Sequence, residues 1–178
     1  MTLVPPVDQV LPRLRRLLDA AQAAGVLRIF IRSVIPEARW TEPWRQQFSL
    51  EMQAANAPGS LLNAFHPDFE PQEGDLTLVK DRFSAFMATE LAALLRQRGI
   101  RTVIVAGLVT DVCVSSTARD AFQLDFLTVT LADCTATDSL ARHEASLGTI
   151  ADVFGQVCLA DDVMGAWQTH AASADSRT

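Results

Sequence analysis

At 178 residues, with 49% hydrophobic and 20% charged residues, the chain is long enough for one compact domain (1–178) with a sizeable core and leaves little room for a second. A formal net charge of −6, with no basic cluster beyond Arg13, Arg15 and Arg16, argues against a nucleic-acid or anionic-membrane partner. No apolar run approaches the roughly 18 residues needed to span a bilayer, and the first six residues lack a basic region followed by an apolar core, so a cytoplasmic location is expected.

Pro5-Pro6 precedes Val7, Val10, Leu11, Leu14, Leu17, Leu18 and Ala21 at helical spacing, and Gly25 supplies a stop, which predicts an amphipathic helix over 7–24. Val26 to Arg32, rich in branched and aromatic residues, predicts a strand. From Val34 to Asp75 the pattern dissolves into an irregular segment with Pro36, Trp40, Pro43, Trp44, Pro58, Gly59, Pro67, Pro71 and Gly74, shortened by a helix near Trp44 to Ala55. A segment of this length inside a compact domain is often a lid or binding loop. Its tryptophans either line a pocket or pack beneath the loop.

Asp75 to Lys80 reads as a short strand, and Thr89 as the cap of a helix carrying Leu91, Leu94 and Leu95 that ends at Gly99. Strand Thr102 to Ala106, helix Thr110 to Leu124, strand Phe126 to Leu131, a helix around Leu140 to Val153 and strand Gln156 to Leu159 follow in strict alternation. Such alternation specifies an α/β fold, a mostly parallel sheet covered by helices on both faces in a three-layer sandwich. The tail, 169–178, is small and polar without periodicity and is expected to fray.

Chemistry concentrates after the strands, because in open α/β sheets ligands bind outside the carboxyl ends of strands. Cys113 follows the strand from Thr102 and sits in the first turns of a helix, where the positive helix end favours thiolate over thiol. Lys80 closes another strand, and an ammonium near the cysteine would add to the same effect, preparing a nucleophile for a carbonyl carbon. The bland alternatives are a solvated strand-end lysine and a small apolar helix cysteine. Cys134 and Cys158 lie at strand ends as expected of inert buried thiols, and the wide cysteine spacing implies free thiols rather than a disulfide framework. His66, His143 and His170 are isolated, whereas a metal site needs converging ligands, so no metal or other cofactor is expected.

The runs Lys80 to Phe86, Thr89-Glu-Leu, Gly107 to Val114, Ser116 to Ala121 and Ala132 to Ala136 together resemble the isochorismatase-like cysteine hydrolase family, in order and across nearly the whole chain. The resemblance implies a Rossmann-like three-layer fold and hydrolysis of a C–N bond in a small amide, carbamoyl or ureido compound, with Cys113 as nucleophile and Lys80 as its charged partner. It also implies a cis peptide at Leu108-Val109, which turns the Val109 N–H beside the Cys113 N–H as an oxyanion hole. Arg82, Phe83, Trp40 and Thr110 are candidate substrate contacts, and a dimer or tetramer is the expected assembly. Relatives acting on nicotinamide carry an Asp-x-His metal segment where this chain reads Arg32 to Pro36, which disfavours that substrate.

The chain departs from the family at its start. Members open with an apolar strand ending in an Asp-x-Gln motif some twenty residues before the first helix, and that strand lies inside the sheet. Here the sequence begins almost at the helix, and Asp8, following two prolines, reads as a cap or first-turn residue. Neighbouring strands are then expected to carry unpaired backbone groups, each costing of order 1 to 3 kcal/mol when buried. The family's aspartate moves the proton, a service worth ~10² to 10⁴ in rate, so weak or absent turnover is expected. The alternatives are a catalytically impaired binding or scaffold protein, a vinyl-ether hydrolase of the isochorismate type, and a reading frame that starts upstream of Met1.

Overall fold

The computed structural model describes residues 2–175. Helix α1 (Val7–Ala23) is followed by strand β1 (Ile29–Ser33), then by helices α2 (Glu42–Gln47) and α3 (Leu50–Ala55), and strand β2 (Leu76–Lys80). Helix α4 (Leu91–Gln97), strand β3 (Thr102–Leu108), helix α5 (Ser115–Gln123), strand β4 (Leu127–Ala136), helix α6 (Leu140–Thr149), strand β5 (Gln156–Cys158) and helix α7 (Ala160–Asp175) complete the alternation. Helices α1 and α4 each end at a glycine with φ of +67°, Gly25 and Gly99, the left-handed geometry that closes a helix when no Cβ stands in the way.

Every pairing between strands is parallel. Successive residues of β3 point to opposite sides, as strand geometry requires. Val103 joins a cluster with Leu91 and Leu95 of α4, Ala121 of α5 and Phe126. Ile104 joins one with Leu17 of α1, Leu131 of β4 and Ala160 and Met164 of α7. These two apolar layers, one on each side of the strands, make the three-layer α/β sandwich that the alternation predicts.

The strands form two sheets, β1-β2 and β3-β4-β5. β1 and β3 face each other across an apolar cleft that opens on both sides. One side, of about 210 Å³, is lined by Ile29, Ile31, Leu91, Leu95, Val103 and Val105. The other, of about 280 Å³, is lined by residues including Leu14, Leu18, Phe30, Ile104, Ala106 and Trp167. Among the described residues the facing edges of these two strands have no strand partner, as expected of the neighbouring strands from the sequence.

Several boundaries differ from expectation for identifiable reasons. The first strand begins at Ile29 rather than Val26, because the Val26 N–H closes α1 on the Ala21 carbonyl at 2.8 Å. β4 runs on past Leu131 to Ala136, since beyond an irregularity at Val105/Gly107 the pairs Gly107↔Thr135 and Leu108↔Ala136 continue the ladder. The helix near Trp44 is two helices, divided where extended Ser49 turns its hydroxyl to cap the Met52 N–H. The segment around them also holds short 3-10 turns at Glu37–Arg39, Leu61–Asn63 and Pro67–Phe69.

Helix α7 was not indicated by its own periodicity. Its start is capped locally, by Asp162 Oδ2 accepting the Leu159 N–H at 2.9 Å, and from β4, by Asp133 Oδ1 accepting the Ala160 N–H at 2.9 Å, while Met164 and Trp167 pack on α1 and β4. The expected frayed tail is therefore helical as far as Asp175, and 176–178 lie outside the described residues. Asp8 is an exposed first-turn residue of α1, whose N-cap is Pro6 without a side-chain cap. Among the described residues no helix is long and apolar enough to cross a membrane.

Candidate active site

Cys113 sits not in a regular α-helix but in a π-helical turn, Thr110–Val114, that links β3 to α5. Single π turns recur at functional sites because the extra residue reorients the local side chains. The turn is entered through Val109, whose carbonyl accepts the N–H groups of Val112 and Val114 at 3.3 and 3.2 Å. The Leu108–Val109 peptide is cis.

Lys80 is the last residue of β2 and only 7% exposed. Its ammonium carries three N–H donors. Two go to the carbonyls of Arg82 and Phe83, both at 2.9 Å, and the third meets Cys113 Sγ at 3.2 Å. Two residues 33 positions apart are thereby joined at one end of the sheet. Among the described residues no carboxylate forms an ion pair with Lys80. Asp81, next in sequence, is committed elsewhere: hydrogen bonding to the Arg39 guanidinium holds its carboxyl below the usual carboxylate range, with Arg39 and Arg82 charge adding to the effect.

Beside this pair lies an aromatic cluster. Phe83 packs at a tilt on Trp44 at 5.0 Å and meets Phe48 at 6.0 Å, and Trp40 contacts Trp44 at 6.2 Å. The two tryptophans have different positions. Trp40 is buried at 7% exposure and packs under the segment. Trp44 lines an open cleft of about 410 Å³ with Arg82, Phe83, Ser84, Ser116 and Arg119. Arg82 lies over the Trp44 ring at 4.6 Å and donates to the carbonyls of Asp81 and Arg39, so its guanidinium is fixed at the cleft wall.

Thr110 is fully buried, with its hydroxyl 2.9 Å from His143 Nδ1. Its side chain therefore supports the cysteine turn from below and is not open to a ligand. His143 is isolated in the sequence and meets the cysteine turn only through the fold. Its spacing with Leu147 and Ile150, also buried, places it on the inner face of α6, and burial pushes its ring below the ordinary imidazole value. Asp111 accepts from the Thr137 hydroxyl at 2.5 Å and pairs with Arg142 at 3.4 Å, which ties the same turn to the end of β4 and the start of α6.

Cys134 and Cys158 lie away from the pair. Burial pushes the Cys134 thiol up to about 12 and raises Cys158 as well, so both stay protonated at neutral pH. All three cysteines are free. Among the described residues, no group of three or more His, Cys, Asp or Glu converges as metal ligands would.

The isochorismatase domain model matches residues 2–162. The ureidoacrylate amidohydrolase RutB of Stutzerimonas stutzeri (strain A1501) is 33% identical over 174 residues, which is 89% of this chain and 70% of that protein. RutB of Agrobacterium fabrum (strain C58 / ATCC 33970) is 31% identical over 169 residues, 85% of this chain and 73% of that protein. Among solved structures, a cysteine hydrolase from Pseudomonas syringae pv. phaseolicola 1448A superposes with a TM-score of 0.85 at 26% identity, covering 91% of this chain and 81% of that one.

Proposed function

Because the chain belongs to the isochorismatase family, we propose that it hydrolyses a C–N bond of a small amide, carbamoyl or ureido compound, with Cys113 as nucleophile and Lys80 as its charged partner. The observation that carries this reading is the Lys80 ammonium: two N–H groups are held by backbone carbonyls and the third is aimed at Sγ. A lysine tied down in this way is a fixed positive charge beside the thiol, and the thiolate is the species that attacks carbonyl carbon.

In the chemistry that follows, the thiolate forms the Sγ–C bond and the carbonyl oxygen takes the negative charge; the carbonyl then re-forms as the C–N bond breaks, the leaving nitrogen taking a proton from water and the proton released by Sγ neutralising the hydroxide left behind. Water then hydrolyses the thioester and restores Cys113. The N–H groups of Val109 and Cys113 are the donors assigned to the oxyanion. The name borne by the RutB relatives favours a ureido substrate within this class. Three free thiols suit a reducing compartment, in keeping with a cytoplasmic enzyme.

The test is incubation with ureidoacrylate and a panel of N-carbamoyl and simple amide compounds, read by ammonia release and by intact mass. A covalent acyl adduct on the wild-type chain that disappears in Cys113→Ala, with ammonia release lowered at least about 10²-fold in Lys80→Met, is expected. The absence of any adduct or ammonia release that depends on Cys113 overturns the reading. The specific observation favouring a second reading, a ligand-binding homologue with impaired catalysis, is that no carboxylate pairs with Lys80 among the described residues. Tight binding of a panel compound without turnover would support that second reading.

A further inference from the structure

Lys80 and Cys113 are brought together by two segments that share no regular secondary structure. The chain leaving β2 crosses 81–90 in a series of bends, and the cysteine sits in the π turn ahead of α5. A nucleophile and its charged partner must be held within a few tenths of an ångström for their interaction to persist. Something must fix one segment against the other.

Thr117 is the residue placed to do this. It lies four positions after Cys113 on α5 and is 8% exposed. Its Oγ1 donates to the Cys113 carbonyl at 2.7 Å and accepts the N–H of Ala85 at 3.1 Å. A threonine hydroxyl bonding back to the carbonyl four residues earlier is common in helices and by itself says little. The second bond is what distinguishes this one. Ala85 belongs to the lysine segment and is itself 1% exposed, so its N–H has no access to bulk water and depends on Thr117 for a partner. The hydroxyl has one proton, which the Cys113 carbonyl takes, and its lone pair receives the Ala85 N–H. Both segments are therefore pinned to a single oxygen atom.

A second detail narrows the role. The carbonyls that hold the Lys80 ammonium belong to Arg82 and Phe83, three and two residues before Ala85. Fixing Ala85 fixes the end of the short loop that cradles Nζ. Phe86 adds an apolar anchor by stacking on Phe126 at 5.7 Å. The Thr117 hydroxyl supplies a directional restraint between this loop and the cysteine turn.

We propose that Thr117 is a positioning residue that sets the Lys80–Cys113 geometry by tying the lysine loop to the cysteine turn, and so controls how reactive the thiol is. The proposal rests on the assignment of Lys80 and Cys113 as the reacting pair. It concerns a residue that touches neither substrate nor the reacting atoms.

The test is the rate of alkylation of Cys113 by iodoacetamide, followed site by site by peptide mass analysis at pH 7 and at pH 10, in wild type, Thr117→Val, Thr117→Ser and Lys80→Met. The ratio of the pH 7 rate to the pH 10 rate reports the charged state of the thiol and not the fold. In Thr117→Val, which keeps the shape and removes the hydroxyl, the ratio is expected to fall about tenfold, approaching that of Lys80→Met. Thr117→Ser, which restores the oxygen, returns it to within about twofold of wild type. Thermal melts on the same samples separate loss of structure from loss of positioning.

If Thr117→Val lowers the melting temperature but leaves the ratio unchanged while Lys80→Met lowers it, Thr117 is merely structural and the proposal fails on its own. If Lys80→Met also leaves the ratio unchanged, the assignment of the pair fails as well. Should Thr117→Val not fold, the serine variant together with Thr117→Ala decides: a ratio for Ala no lower than for Ser overturns the proposal.

Discussion

His143 illustrates what a buried titratable side chain does beneath a reactive turn. Its ring meets the Thr110 hydroxyl within the wall that supports Cys113, and burial disfavours its charged form more strongly than the neighbouring Glu144 and Asp111 favour it. The folded value is therefore below the ordinary unfolded value of about 6.5. Above that pH both states are neutral at this site and its contribution is fully present. As pH falls below about 6.5 the unfolded chain takes up a proton that the native state resists, so stability declines until the folded value is passed. His143→Asn is expected to show a smaller drop in melting temperature between pH 7 and pH 5 than the wild type. Equal drops in the two proteins would show that the native ring titrates normally. The sequence offers the histidine at a buried helical position, but its partner, 33 residues away, is known only from the fold.

At the scale of elements, the pairing of β1 with β2 is held at its start by a buried ion pair. Arg28 Nε meets Asp75 Oδ1 at 2.6 Å with side chains 7% and 4% exposed, and the guanidinium also reaches the Leu18 carbonyl and Gln22 Oε1. Asp75 uses its other oxygen for the Gln72 N–H. Leaving one member of such a pair alone in the interior costs about 3 to 5 kcal/mol. Asp75→Ala is expected to lower the unfolding free energy by roughly that amount in urea titration. A loss under about 1 kcal/mol would mean that water reaches Arg28 readily. The element pattern itself was largely legible: apolar periodicity and glycine stops located α1 and α4, and alternation gave parallel pairing. The boundaries were not, because the ends of β1 and β4 depend on which carbonyl or neighbouring strand accepts the next N–H. Helix α7 was not legible from its periodicity, and one of the two carboxylates at its start, Asp133, belongs to a distant strand.

For the whole molecule, the division into two sheets has a measurable consequence. In a parallel strand successive backbone groups point to opposite edges. On β3 one edge pairs with β4 and the other faces the cleft opposite β1. Hydrogen exchange along β3 should therefore alternate, with every second amide protected by the β4 ladder and the intervening ones exchanging at least about tenfold faster. Uniform protection along the strand would show that its free edge is paired in solution.

The amino-acid sequence by itself determined the local features: a strand, a turn and a helix start around Cys113, a strand ending in Lys80, and an order of elements compatible only with parallel pairing. Each follows from periodicity, propensity and helix-end electrostatics, which act over a few residues. Tertiary structure alone decided what those features touch. It put Lys80 Nζ at 3.2 Å from Cys113 Sγ, committed Asp81 to Arg39, placed Thr110 over His143 and joined Ala85 to the cysteine turn through one hydroxyl. Those contacts span tens of residues, and only the packing of whole elements fixes which side chains meet across such separations.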